Sequence, residues 1–266
     1  MSFPDGPIWL IGCGNMAGAM LRRWLSSGLD PRQVTVITRS GRGAPEGVRS
    51  LTALPIDDTP AILMPGFKPQ QLDDIAPTLA HLRPALLLSI LAGVEEQALA
   101  SRIPADSVVR MMPNLPVAIG QGVTALYTSS TDPAVRAAAE ALATPLGIAP
   151  WVEDEARFDA VTALAGCGPA FVFRFIDALA QAGAALGLAP ELAQRLALAT
   201  VDGAGAMAMA SDASAATLAD RVASPGGSTR AGLNVLDADD ALLRLMAETL
   251  AASERRNREM AAAARG

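Results

Sequence analysis

The chain has 266 residues, a formal net charge of −6 at pH 7 and a sequence pI near 4.9. Hydrophobic residues make up 51% of it and charged residues 18%, which excludes a disordered polyelectrolyte and supplies core for two modest domains. The acidic balance speaks against a nucleic-acid partner, and no uninterrupted apolar run approaches the roughly 18 residues that would speak for a membrane span.

Aromatics are only 4%, so the core is expected to be aliphatic and rich in alanine. Cys13 and Cys167 stand far apart and follow no metal-ligand spacing. No metal is expected, and a reduced, cytoplasmic chain is the simplest reading. The N-terminus lacks a basic region followed by a long apolar run, so no secretory signal is expected.

In chain order, Ile8–Gly12 reads as a buried strand and Met16–Ser27 as a helix. Met16, Met20, Leu21, Trp24 and Leu25 fall on one face of that helix, and Gly28 suits its C-terminal end. Further strands are predicted at Val34–Thr38, Ala61–Met64, Ala85–Leu91, Ser107–Met112, Gly122–Thr128 and Ile148–Val152. Helices are predicted at Pro69–Leu82, Val94–Ser101 and Asp132–Leu146. Strands alternating with helices imply a parallel sheet with crossover connections.

After about residue 153 the strand signals stop. Helices are expected at Ala156–Ala165, Gly168–Leu186, Pro190–Ala210, Ser214–Ala223, Arg230–Leu236 and Asp239–Ala263. The expected organisation is therefore an α/β Rossmann-type parallel sheet domain, 1–152, followed by an all-α helical domain, 153–266. Gly168–Leu186 is apolar around most of its circumference. About 110 residues of helix cannot easily enclose such an element, so a subunit interface is expected there.

Two segments carry chemistry. Gly12-Cys13-Gly14-Asn15-Met16-Ala17 follows the first strand and opens the first helix, which fits the G-x-G-x-x-G/A dinucleotide fingerprint. Gly12 allows the tight turn, Gly14 lets a pyrophosphate approach the backbone, and the helix N-terminus faces the phosphates. An NAD site usually places an acidic residue about 20 positions on, at the end of the second strand. Here that strand ends in Thr38-Arg39-Ser40-Gly41-Arg42, with no carboxylate. Arg39, Ser40 and Arg42 instead suit the 2′-phosphate of NADP(H).

The other segment is Ser224-Pro225-Gly226-Gly227-Ser228-Thr229, two glycines before a helix, which suits a carboxylate. A side chain at Gly227 is expected to obstruct the anion or strain the turn. His81 is the sole histidine, so no Ser/His/Asp triad can be assembled, and it reads as a surface or packing residue.

Together these segments resemble the pyrroline-5-carboxylate reductase family. Phe67-Lys68-Pro69, which holds the only lysine of the chain, resembles that family's Val-Lys-Pro. Ser89-Ile90-Leu91-Ala92-Gly93-Val94 resembles Ser-Ile-Ala-Ala-Gly-Val, and Met112-Pro113-Asn114-Leu115-Pro116 resembles Met-Pro-Asn-Thr-Pro. Gly166-Cys167-Gly168-Pro169-Ala170-Phe171 resembles Gly-Ser-Gly-Pro-Ala-Tyr, and the Ser224–Thr229 loop resembles Ser-Pro-Gly-Gly-Thr/Ala-Thr.

The resemblance implies NADPH-dependent reduction of 1-pyrroline-5-carboxylate to L-proline by a homodimer or higher homo-oligomer whose helical domains interlock. It implies cofactor contacts from Gly12, Gly14, Asn15, Met16, Arg39, Ser40, Lys68, Ala92 and Asn114. It places the substrate at Ser224, Gly226, Gly227, Thr229 and Asp212, with Thr229 as the catalytic residue beside the ring nitrogen. The chain departs from the pattern at Ala165 and Cys167, which replace serines, at Phe171, which replaces tyrosine, and at Ala219-Asp220-Arg221, where Lys-Asp-Asn is common. Asp212 stands where a glutamate is usual. These departures leave open a reductase of another cyclic imine or a keto acid, or an inactive NADP-binding regulator.

Overall fold

The structure is a computed structural model and describes residues 2–265. The chain divides into two compact units, residues 1–167 with 253–266, and residues 168–252. The first unit thus runs past residue 152, and the end of the last helix belongs to it.

The first unit holds an eight-stranded sheet in the order β3-β2-β1-β4-β5-β6-β7-β8. The strands are β1 Ile8–Ile11, β2 Val34–Ile37, β3 Arg49–Leu51, β4 Ile62–Pro65, β5 Leu86–Ser89, β6 Ser107–Pro113, β7 Gly122–Tyr127 and β8 Gly147–Ile148. β1, β2, β4 and β5 are buried at every position, as parallel strands covered on both faces must be. Their side chains divide with a period of two. Ile8, Leu10, Val34, Val36, Met64 and Leu88 enter one core with α1 (Asn15–Ser26) and α4 (Pro133–Ala143). Trp9, Ile11, Ile37, Leu63 and Leu87 enter another, with α2 (Leu72–Leu79) and α3 (Glu96–Ala100). The Trp24 indole N–H donates to the Leu142 carbonyl at 2.6 Å and ties α1 to α4.

Three details depart from the expected pattern. β3 is an added edge strand; it is short and largely exposed, so it lacks the apolar run that marks a buried strand. β6 and β7 pair antiparallel. The segment joining them is shorter than the dozen or so residues a parallel crossover needs. The expected helix Pro69–Leu82 is a 3₁₀ turn, Pro69–Gln71, followed by α2, which ends soon after Pro77.

Beyond β8 the chain forms α5 (Phe158–Val161) and then a π-helical turn, Thr162–Gly166, which the Cys167 amide closes on the Thr162 carbonyl at 2.9 Å. The last helix packs in this unit at Asn257 and Ala261, which are buried, and the Asn257 amide donates to the Asp159 carbonyl.

The second unit is helical, with α6 (Gly168–Ala185), α7 (Pro190–Met209), α8 (Ala215–Arg221), α9 (Ser228–Asp237) and the first part of α10 (Ala241–Arg265). α6 and α7 turn about Gly187, whose φ is +99°. Ser214 caps α8 by accepting from the Thr217 amide. Among the described residues of this unit only Ala193, Ala197 and Ala223 are buried, whereas Phe173, Leu198 and Leu243 stay more than half exposed. The helical run 155–185 is apolar and long enough, by composition alone, to cross a membrane; Arg174 and Asp177 interrupt it with an ion pair at 3.3 Å.

Candidate active site

The first candidate region is built from the loops that leave the carboxyl ends of β1, β2, β4, β5 and β6. Because those strands run parallel, the loops share one edge of the sheet. The strand order reverses between β1 and β4, the switch point where open α/β sheets bind ligands. Gly12 leaves β1 with φ +92°, and its amide donates to the Ile37 carbonyl at 2.8 Å. A Cβ on Gly12 would lie 2.9 Å from the Gly66 carbonyl oxygen, so conformation and space both require glycine.

Gly14 is the N-cap of α1, and no side chain caps the helix. A Cβ on Gly14 would meet only the Gly66 oxygen, at 3.9 Å, so the space in front of the helix end is open. The first turn carries no acid, Asn15 is exposed and Met16 packs partly into the core. Ala17 is buried, and a Cβ on Gly66 would stand 3.0 Å from its methyl group. The fingerprint is therefore a bare helix N-terminus facing free space, as a pyrophosphate requires.

The turn after β2 is ordered by its own polar groups. Gly41, with φ +64°, donates to the Thr38 carbonyl, the Arg42 amide donates to the Ser40 hydroxyl, and the Ser50 hydroxyl at β3 donates to the Gly41 carbonyl at 2.9 Å. Arg39, Ser40 and Arg42 are exposed, and neither arginine joins an ion pair among the described residues. The edge strand missing from the sequence reading thus anchors the turn that presents these arginines. The Cys13 thiol donates to the Gly43 carbonyl at 3.5 Å and joins the two loops; burial pushes this thiol up, and the Arg22 charge offsets part of the rise.

Lys68 is exposed after β4 and its amide donates to the Gln71 side chain. Ala92 follows β5 and packs against the Met112, Ala125 and Phe158 cluster. Asn114, at the end of β6, is buried and engaged within the protein. Its amide donates to the Ala165 carbonyl at 2.9 Å, and its side-chain oxygen accepts from the Val123 amide at 2.8 Å. His81 is exposed beyond α2.

Two features escape the sequence reading. Gly66 is one; a glycine directly after an apolar strand was its only signal. The other is Arg110, buried in β6, which pairs with Glu155 at 2.7 Å and lies 4.2 Å over the Phe158 ring. Glu155 also accepts from the Glu96 amide, and Glu96 in turn accepts from the Ser129 amide. A lone arginine within the apolar run 108–112 was the available sign of a buried pair.

The second candidate region is the Ser224–Thr229 loop of the helical unit. The Gly227 amide donates to the Ser224 carbonyl at 3.0 Å, which closes a turn with Pro225 second and Gly226 third. Gly226 has φ +74°, the type II requirement. Gly227 has φ −78° and is the N-cap of α9, with no side-chain cap. The strained position is thus Gly226, not Gly227. At Gly227 the limit is steric, because a Cβ would stand 3.1 Å from the Ser224 oxygen. Ser224, Ser228 and Thr229 are exposed, and no acidic residue occupies the first turn of α9. Asp212 is exposed in the turn between α7 and α8.

Comparisons with known proteins identify the family. Residues 155–260 match the family described as pyrroline-5-carboxylate reductase dimerisation, and residues 7–93 match the family described as NADP oxidoreductase, coenzyme F420-dependent. The chain is 34% identical to pyrroline-5-carboxylate reductase of Pseudomonas aeruginosa over 96% of each chain. It is 35% identical to the Synechocystis enzyme, with 86% of this chain and 88% of the relative covered. Among solved structures, pyrroline-5-carboxylate reductase of Coxiella burnetii matches with a TM-score of 0.85 and 29% identity, covering 97% of this chain and 99% of its own. The Streptococcus pyogenes enzyme matches with a TM-score of 0.81 and 27% identity, covering 96% and 98%.

Proposed function

The chain belongs to the pyrroline-5-carboxylate reductase family, and from that premise we propose that it reduces 1-pyrroline-5-carboxylate to L-proline with NADPH. The observation that carries this reading is the near full-length likeness to that enzyme combined with an intact Ser224–Thr229 loop at a bare helix end. The phosphate-side residues fit NADP(H). The space before Gly14 is open, the α1 end is uncapped, and the Arg39–Arg42 turn offers positive charge without a competing carboxylate. When bound, the dihydronicotinamide supplies hydride.

The residues of the chain have modest tasks. A cyclic imine accepts hydride best as its iminium, so the substrate arrives as a cation beside a carboxylate. Ser224, Gly226 and the first turn of α9 hold that carboxylate through N–H and hydroxyl groups, while Gly227, whose amide closes the turn on Ser224, admits it by lacking a side chain. The Thr229 hydroxyl orients the ring nitrogen. The nitrogen keeps its proton and gains the former C=N electron pair as the carbon takes hydride, so no strong acid is required. Positioning supplies most of the acceleration. Asp212 lies on the same unit and is assigned to the substrate cation.

We read the protein as an obligate homodimer or a higher assembly. The support is the second unit, whose described residues are almost all unburied within one chain and which falls in the match to the dimerisation family. A second copy covering α6 and α7 accounts for their apolar faces. The unpaired Cys13 and Cys167 accord with a cytoplasmic location.

The test is NADPH oxidation with 1-pyrroline-5-carboxylate, 1-piperideine carboxylate and a keto acid in parallel. Turnover of the first above the others is expected. Preference for either alternative substrate would reassign the enzyme, and no turnover with any would leave an NADP-binding protein. Sedimentation at low micromolar concentration should show no stable monomer.

A further inference from the structure

We propose that Arg230 is a specificity-determining residue of this site, a cation that selects for substrates bearing a carboxylate. This rests on reading the Ser224–Thr229 loop as the carboxylate site. Arg230 is the third residue of α9, within the first turn, where the helix's own partial positive charge disfavours a cation. The first turn contains no acid to offset it. Helix formation therefore gives no reason for an arginine here.

Compensation comes from outside the helix. Asp220, in the last turn of α8, accepts from the Arg230 guanidinium at 2.7 Å. This pair bridges the two ends of the segment that contains the Ser224–Gly227 turn and so fixes the guanidinium of the residue that directly follows the loop. The two partners are unequally hydrated, with the Arg230 side chain 31% exposed and the Asp220 side chain 69% exposed. Water screens the carboxylate more than the guanidinium. The bond also uses one N–H of a group that has five donors. The guanidinium field is therefore the less screened of the two near the free N–H groups that open α9. A bound carboxylate senses it; the same ring without a carboxylate does not.

The experiment compares two substrates in the full-length protein at saturating NADPH: 1-pyrroline-5-carboxylate, and 1-pyrroline, which lacks the carboxylate. The wild type should favour the first. In Arg230→Met, kcat/KM for the carboxylate substrate should fall about tenfold, at the low end for loss of a contact between charged groups, through KM more than kcat. With 1-pyrroline the variant should match the wild type or exceed it. Arg230→Lys, which keeps the charge, should retain most of the discrimination. Equal losses on both substrates would show that the ion pair only ties α8 to α9 and would overturn the proposal, as would no loss on either. A wild type that does not favour the carboxylate substrate would refute the loop as carboxylate site, and with it the role of Arg230, before any variant is made.

Discussion

A Cβ placed on Gly66 would stand 2.5 Å from the carbonyl oxygen of Gly12, and one placed on Gly12 would stand 2.9 Å from the carbonyl oxygen of Gly66. The two glycines let the chains leaving β1 and β4 touch backbone to backbone at the switch point. That contact places Gly14 and the start of α1 at the sheet edge. Gly66→Ala should cost about 1–3 kcal/mol of stability through overpacking. It should also weaken NADPH binding more than substrate binding. Thermal unfolding and NADPH titration check this, and unchanged NADPH affinity in a folded variant would refute it.

Arg39 is the proposed determinant of cofactor choice. Its side chain is exposed and joins no ion pair among the described residues, at a turn whose backbone is fixed by Ser40, Gly41 and Ser50. Losing a charge-assisted bond to the 2′-phosphate costs about 1.5–3 kcal/mol, or roughly 10- to 150-fold. Arg39→Ala should lose that much kcat/KM for NADPH and keep its kcat/KM for NADH. Equal use of both cofactors by the wild type would sink the assignment.

Thr229 and Gly226 separate chemistry from loop geometry. Thr229→Ala should lower kcat/KM by one to two orders of magnitude, about the worth of a hydrogen bond to a charged group, while Thr229→Ser keeps most activity. Gly226→Ala forces a side chain into φ +74° and should cost about 1–2 kcal/mol of loop stability, seen as a raised substrate KM. Gly227→Val should be worse than either, because the space before Ser224 is already filled to 3.1 Å. Wild-type kinetics in all of these folded variants would make the loop a mere linker.

Asp159 sets a pH dependence in the first unit. Burial raises its carboxyl above the ordinary carboxylate range; Arg110 and Arg258 pull it down, and Glu254 and Glu95 push it up. A group whose pKa is raised on folding contributes stability below its unfolded pKa and loses it as pH rises through the folded value. Ionised Asp159 is therefore unfavourable at neutral pH. Asp159→Asn should raise the Tm at pH 7, with the gain shrinking as pH falls through the raised folded pKa and gone below the ordinary carboxylate range. A variant equally or less stable than wild type at pH 7 would contradict this.

Local pattern alone determines much of this protein. The apolar runs around Ile8–Ile11, Val34–Ile37, Ile62–Pro65 and Leu86–Ser89 could only be satisfied by strands covered on both faces. Gly12, Gly14 and Ala17 lie between such a strand and an amphipathic helix, so the phosphate loop needed no long-range information. The bare glycine pair before α9 is likewise a short-range signal. Other features depended on residues far apart in the chain. β3 holds its place by pairing with β2, not by its own hydrophobicity. The antiparallel step at β7 follows from the length of its connection. Gly66 needs to be glycine because Gly12 lies against it, and Asn114 spends its amide on Ala165 and Val123. The positive φ falls on Gly226 because the turn begins at Ser224. Residue types specify preferences over a few neighbours, whereas packing decides which distant backbone and charge each side chain finally meets, and that second level only the tertiary structure decided.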